Sequence, residues 1–284
     1  MKPVKNNDRF MARTFRKMHG LGNDFVVVDA RSEPFTPGRD QVQTIADRHY
    51  GVGCDQLIIM EPSSNANLFM RVLNADGTAS AACGNATRCL ADLLMREGVE
   101  SPRIETSVGV LPAWRDERGT IWVDMGMAML EPQAVPIVGV EDTSCVQGLA
   151  LPGLGAPVVH SMGNPHCVYI TDDIDALLIE DWAPAIETHN MFPEKTNVHL
   201  IQVLDRKSIR QRVWERGVGL TLASGSGACA GAVAAIRRGL TERKVDVELD
   251  GGHLHIHWRD DGHVIMGGAV GHVFTGILDE SLSS

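Results

Sequence analysis

Cys83-Gly84-Asn85-Ala86-Thr87-Arg88-Cys89-Leu90-Ala91-Asp92-Leu93-Leu94-Met95-Arg96-Glu97-Gly98 reads as a glycine turn that opens into one helix and is stopped by a second glycine. The helix is expected over residues 86–97, with Leu90, Leu93 and Leu94 on one face. A second copy of this arrangement lies 141 residues further on. There Ser224-Gly225-Ser226-Gly227 opens a helix expected over 227–238, with Val233 and Ile236 in an Ala-rich run and Gly239 as the stop. Cys83 and Ser224 therefore each stand at the mouth of a helix.

The same offset aligns much of the rest of the chain. His19-x-x-Gly22-Asn23 falls on His160-x-x-Gly163-Asn164, Ile45 on Ile186, and Gln56 before Leu57-Ile58-Ile59 on Asn197 before Val198-His199-Leu200. Ala91, Arg96 and Gly98 fall on Ala232, Arg237 and Gly239. Repeats of solenoids are about 20–50 residues long, so a period of this length means two related lobes. Runs 25–29, 56–60, 68–73 and 120–125 read as strands, which makes the class α+β. The boundary is expected within 131–155, a stretch with three Pro and four Gly. The expected division is 13–130 for the N-terminal lobe, completed by a strand near 270–280, and 131–271 for the C-terminal lobe. Residues 13–130 and 154–271 should superpose, with Cys83 and Ser224 opposed across one cleft.

The composition excludes several classes. With 26 Lys+Arg against 36 Asp+Glu the chain carries a formal charge of −10, which offers no broad basic footprint for nucleic acid. No apolar run is long enough for a membrane helix, and no apolar stretch follows the basic residues 1–10 as a secretory signal requires. Met11 reads as an alternative start. The six cysteines lack Cys-x-x-Cys spacing, so a reduced, cytoplasmic chain is expected. Three alternate histidines, His253, His255 and His257, could suggest a metal, but the outer two of such a run are about 13 Å apart on a strand. Gly20-x-Gly22 precedes a strand, which does not fit a dinucleotide-binding turn. No metal and no cofactor are expected.

A helix mouth offers unpaired N–H groups and the positive end of the helix dipole, which together bind carboxylates. It also favours thiolate, so the Cys83 thiol is expected to be lowered below its usual range. Gly84-Asn85 and Gly225-Ser226 leave room for a ligand to approach the backbone closely. Two such mouths on a pseudo-dyad suit removal of a proton from one face of a carbon and delivery to the other, with the enolate charge held by both sets of N–H groups. The plainer reading of Cys83, a buried structural thiol, stays open at this point.

The segments Lys17-Met18-His19-Gly20-Leu21-Gly22-Asn23-Asp24-Phe25, Asn74-Ala75-Asp76-Gly77, Ala82-Cys83-Gly84-Asn85, Gly163-Asn164-Pro165-His166-Cys167 and Glu215-Arg216-Gly217-Val218-Gly219 closely resemble the diaminopimelate epimerase family, over residues from about 15 to about 278. The resemblance implies two mirrored lobes, each of mixed or antiparallel strands wrapped around a central helix. It also implies interconversion of LL- and meso-diaminopimelate by a two-base mechanism without pyridoxal phosphate. By position it makes Cys83 and Ser224 the paired acid/base sites, with His166 and Glu215 assisting proton transfer or orienting the substrate. It places Asn23, Gln56, Asn74, Gly84, Asn85, Asn164, Asn197, Arg216, Gly225 and Ser226 around the substrate.

Three positions depart from the family pattern: Ala79, Leu220 and, above all, Ser224, where the family carries its second cysteine. A hydroxyl is a far weaker acid than a thiol, so the chain is expected to be impaired at one face. The alternatives are a racemase or lyase acting on another amino acid, or an inactive amino-acid-binding relative. The expected partner is a small amino acid, with no nucleic acid and no membrane, and a homodimer is allowed.

Overall fold

The computed structural model describes residues 13–81 and 83–283; residues 1–10 and Met11, discussed above as a chain start, lie outside them, as does Ala82. The N-terminal half runs β1 (Thr14–Gly20), β2 (Asn23–Asp29), α1 (Arg39–Ala46), β3 (Gln56–Glu61), β4 (Leu68–Asn74), β5 (Ala79–Ser80), α2 (Gly84–Arg96), β6 (Arg103–Thr106), β7 (Gly109–Arg115) and β8 (Ile121–Met127). The C-terminal half repeats this order with β9 (Val158–Ser161), β10 (Pro165–Thr171), α3 (Ala183–Glu187), β11 (Asn197–Asp205), β12 (Ser208–Glu215), β13 (Gly219–Thr221), α4 (Gly225–Arg237), β14 (Lys244–Leu249), β15 (Gly252–Trp258) and β16 (His263–Gly268). The chain ends with β17 (Gly271–Ile277) and α5 (Glu280–Ser283).

The strand pairings repeat as well. β1/β2, β3/β4, β6/β7 and β7/β8 are antiparallel, while β2/β3 and β4/β6 are parallel. Likewise β9/β10, β11/β12, β14/β15 and β15/β16 are antiparallel, while β10/β11 and β12/β14 are parallel. The halves join where β8 pairs with β16, and β17 returns to pair with β1 of the first lobe. Met129, just after β8, makes the corresponding bridge to Ser161 in the second lobe.

Each lobe holds two apolar cores. The inner one surrounds its long helix: Leu90, Leu93 and Leu94 of α2 pack on Phe25, Ile58, Leu68 and Val123, and the Ala-rich α4 packs on Ile201, Val213, Val247 and Ile256. Burying each such side chain contributes about 1.5–3 kcal/mol, and these cores hold the helices along the lobe axes. The outer core of the first lobe lies under α1, with Val42 and Ile45 on Val26, Val28, Leu57 and Ile59. That of the second lobe lies under α3 and the 131–155 stretch, which supplies Val135, Ile137, Val146 and Leu149. The strand interiors are apolar on both faces for this reason.

Turn chemistry follows the expected punctuation. Leu21 and Gly22 have φ of 57° and 84°, the left-handed pair that a tight β1–β2 hairpin needs. Gly98 and Gly239, at 95° and 70°, end the two long helices. Both helices begin two residues earlier than the sequence suggests, because Gly84-Asn85 and Gly225-Ser226 already form their first turn. Cys89 and Cys229 are core residues on the inner helices, and all six cysteines are free thiols. No helix among the described residues is long and apolar enough to cross a membrane.

Candidate active site

Cys83 and Ser224 are the N-cap residues of two helices of 13 residues each, both with extended backbone. The helix mouths meet. A methyl group added at Gly84 would lie 2.8 Å from Met266 Cε and 3.0 Å from Met125 Cε. One added at Gly225 would lie 3.1 Å from Met266 Sδ and 3.5 Å from the Asn85 backbone nitrogen. Met125 and Met266 sit on β8 and β16, the two strands that join the lobes, so the seam of the sheet brings the mouths together.

The two caps differ in chemistry. Ser224 Oγ accepts from the Gly227 N–H at 3.3 Å and donates to Glu215 Oε2 at 3.3 Å. Cys83 makes no side-chain cap bond; its thiol donates to Asn23 Oδ1 at 3.7 Å. The expected lowering of this thiol is not what the structure gives. Burial is the largest influence and pushes it up to about 11, and the Glu215 charge pushes the same way. The Asn85 and Ala86 N–H groups and the Arg88 guanidinium pull it down without overcoming these. Glu215 is itself raised by burial, though Thr221 Oγ1 donates to it at 2.7 Å.

The remaining expected residues lie at or beside strand ends, and Asn23 and Asn164 reach the helix mouths. Asn23 Oδ1 accepts from Asn85 Nδ2 at 3.2 Å, while Asn23 Nδ2 donates to Asp55 at 2.9 Å. Gln56 Nε2 donates to Asn74 Oδ1 at 2.9 Å, leaving Gln56 Oε1 buried with no partner among the described residues. Asn164 Nδ2 donates to Ser226 Oγ at 3.4 Å. Asn197 uses both ends of its amide within the protein: it donates to the Pro165 carbonyl at 2.9 Å and accepts from the Arg216 N–H at 3.0 Å. It braces the loop that carries Arg216, whose guanidinium donates to the Glu194 carbonyl. His166 is fully buried and held well below its usual range by burial and by His199, so it stays neutral.

Two features were missed at the sequence level. Arg88 is fully buried, donates to Asn85 Oδ1 at 2.8 Å and touches Met266 Sδ, and its Nε has no partner among the described residues. A charged residue five positions inside a helix mouth was the available signal. The second is a pair of buried residues behind His166, His199 and Gln211. Among the described residues no group of three or more His, Cys, Asp or Glu side chains is placed to hold a metal ion.

The family model for diaminopimelate epimerase matches residues 15–131 and 158–273. A diaminopimelate epimerase of Rhodospirillum centenum is 49% identical over 275 residues, covering 96% of this chain and 94% of its own. That of Acidiphilium cryptum is 49% identical over 272 residues, covering 95% and 98%. Among solved structures, a predicted epimerase from Pseudomonas aeruginosa superposes with a TM-score of 0.69 at 18% identity, covering 94% of this chain and 99% of that one. A hydroxyproline epimerase from Agrobacterium vitis does so with a TM-score of 0.66 at 13% identity, covering 96% and 94%. These two show a shared fold.

Proposed function

The chain belongs to the diaminopimelate epimerase family, and from that premise we propose that its cleft interconverts LL- and meso-diaminopimelate by moving the α-proton between two faces, one served by Cys83 and the other by Ser224. The observation that carries this reading is the meeting of two matched helix mouths, each capped by one of these residues. In the forward step the Cα–H bond breaks, the proton passes to the Cys83 thiolate, and the electron pair moves into the α-carboxylate as an enolate. The N–H groups of the Gly84-Asn85 and Gly225-Ser226 turns stabilise the charge that develops there. Protonation of the opposite face completes inversion, and the group proposed to serve that face is the Ser224 hydroxyl, hydrogen-bonded to Glu215.

Arg216 on its braced loop supplies a bidentate donor pair for the distal carboxylate of the substrate, while the side-chain amides read its remaining ammonium and carboxylate groups. The six free thiols support a reduced, cytoplasmic setting. A homodimer is part of the proposal, supported by β17, which pairs on one side with β1 and leaves Val273, Phe274 and Ile277 exposed. The test is epimerisation of LL-diaminopimelate followed by chiral separation. Ser224→Cys should invert it rapidly and Cys83→Ala should not; saturable binding with no turnover in Ser224→Cys would instead mark an amino-acid-binding protein.

A further inference from the structure

Behind the cleft of the C-terminal lobe, four side chains form one continuous hydrogen-bonded line. Gln211 Nε2 lies 3.1 Å from His199 Nδ1, His199 Nε2 lies 2.8 Å from His166 Nδ1, and His166 Nε2 lies 2.8 Å from Asn164 Oδ1. Gln211 is on β12, His199 on β11 and His166 on β10, so three neighbouring strands contribute in order. His166 and His199 are fully buried and Gln211 is 1% exposed.

The direction of this line is fixed at one end. Gln211 Nε2 also donates to the Gly227 carbonyl at 2.8 Å, and a carbonyl can only accept. The amide nitrogen must therefore face both Gly227 and His199, which makes His199 Nδ1 an acceptor. A neutral imidazole with a bare Nδ1 carries its proton on Nε2, so His199 donates to His166 Nδ1. By the same step His166 carries its proton on Nε2 and donates to Asn164 Oδ1. Asn164 is then left with its Nδ2 directed at Ser226, at the mouth of α4. Burial, which keeps His199 down at about 3 and His166 well below its usual range, holds both rings neutral.

The helix is cut to fit this line. A Cβ at Gly227 would sit 2.7 Å from His199 Cε1, and one at Gly231 would sit 2.0 Å from Gln211 Oε1. The pseudo-symmetric residue in the other lobe is set the opposite way. Asn23 meets an acceptor, Asp55, behind it, so its Nδ2 turns back and its Oδ1 faces Asn85 and Cys83.

We propose that Gln211 and His199 are positioning residues that set the direction of the Asn164 amide, so that the C-terminal lobe offers the ligand a donor where the N-terminal lobe, through Asn23, offers an acceptor. An α-amino acid has one group that only accepts, the carboxylate, and one that only donates, the ammonium. The relay thus makes two symmetric half-sites chemically different and gives the substrate one preferred orientation. This inference rests on the proposed function only in placing the substrate beside Asn164.

The experiment is 15N NMR of the histidine rings in the full chain, where long-range proton–nitrogen correlations report which ring nitrogen carries the proton. His166 and His199 should both be protonated on Nε2 alone at neutral pH. A proton on Nδ1 of either ring, or on both nitrogens, overturns the proposal. In Gln211→Leu the tautomer of His166 should no longer be single, and the calorimetric Kd for diaminopimelate should rise about tenfold, as for one lost hydrogen bond. Gln211→Glu, which can only accept from His199, should move the His166 proton to Nδ1. A folded Gln211→Leu chain with the His166 tautomer and Kd both unchanged would mean that the residue only packs, and would refute the inference. Absence of any diaminopimelate binding in the unaltered chain would count against the proposed function while the ring spectra still decide the relay.

Discussion

Cys83 and Ser224 cap two helices that are equal in length, yet only Ser224 closes its cap with a side-chain bond, from the Gly227 N–H to Oγ. The hydroxyl, which in the proposed function is the weaker member of the acid/base pair, is the better helix cap. Losing a serine cap costs about 0.5–2 kcal/mol. Ser224→Cys should therefore lower the unfolding free energy by about 1 kcal/mol in urea titration while Ser224→Thr keeps it. Under peroxide the same cysteine variant should form a crosslink to Cys83 that reductant reverses; no crosslink in a folded variant would mean that the two caps do not face each other.

Across the cleft, the Glu215 charge adds to burial in raising the Cys83 thiol. Removing that negative charge favours the thiolate, so Glu215→Gln should shift the pH profile of Cys83 alkylation toward lower pH. Arg88→Met, which removes the buried cation that opposes it, should shift the profile the other way, and Arg88→Lys should largely restore it. Identical profiles in all three would show that neither charge reaches the thiol. Mass spectrometry of the alkylated peptide separates Cys83 from the five other thiols.

Much of the fold could be read from the sequence because its repeated residues are those a backbone cannot exchange freely. Gly22 and Gly163 occupy the same left-handed turn, and Gly98 and Gly239 the same helix stop. The helix starts were read two residues late because Gly84-Asn85 and Gly225-Ser226 have turn chemistry, while at a first helical turn tertiary packing overrides such preferences. The Cys83 acidity was misread for a related reason. A helix mouth is visible in sequence, but burial and a carboxylate from 132 positions away along the chain are not. His199 and Gln211 were invisible as a pair because strand register, not spacing, brings them together.

Gly231 tests how firmly the relay is packed. Replacing a helix-interior Gly by Ala ordinarily stabilises by about 0.5–1 kcal/mol. Here the added methyl meets the Gln211 amide, which is anchored at both His199 and Gly227. Gly231→Ala should therefore lower the Tm, and adding Gln211→Ala should recover more than the two single effects sum to. A Gly231→Ala chain that is simply more stable would show that the amide moves aside at no cost.

The buried histidines set an acid limit. His160, His166 and His199 are all depressed by burial, the first and last to about 3. Below their ordinary value near 6.5 the unfolded chain binds protons that the folded chain does not, so stability is full above that pH and is lost as pH falls from there toward 3. Each contributes up to about 1.4 kcal/mol per pH unit. The raised Glu215 works in the opposite sense and offsets part of this. Asp24, lowered to about 2 by Arg48 and Lys17 against the effect of burial, loses its contribution only below the ordinary carboxylate range. Urea titrations at pH 7, 6 and 5 should show stability falling, with a shallower slope in His199→Asn; a flat profile would mean that the rings are not held neutral.

The most direct measurement follows the α-hydrogen of diaminopimelate in heavy water with the unaltered chain. In the proposed mechanism, proton removal at the Cys83 face needs only the thiolate and the two helix mouths, whereas inversion also needs a competent acid at Ser224. An acid–base group contributes about 10²–10⁴ in rate. One stereoisomer should therefore take up deuterium with retained configuration faster than it inverts, Cys83→Ala should abolish that uptake, and Ser224→Cys should bring inversion up to the exchange rate. Equal rates of exchange and inversion in the unaltered chain would contradict the account, because Ser224 would then be a full partner of Cys83.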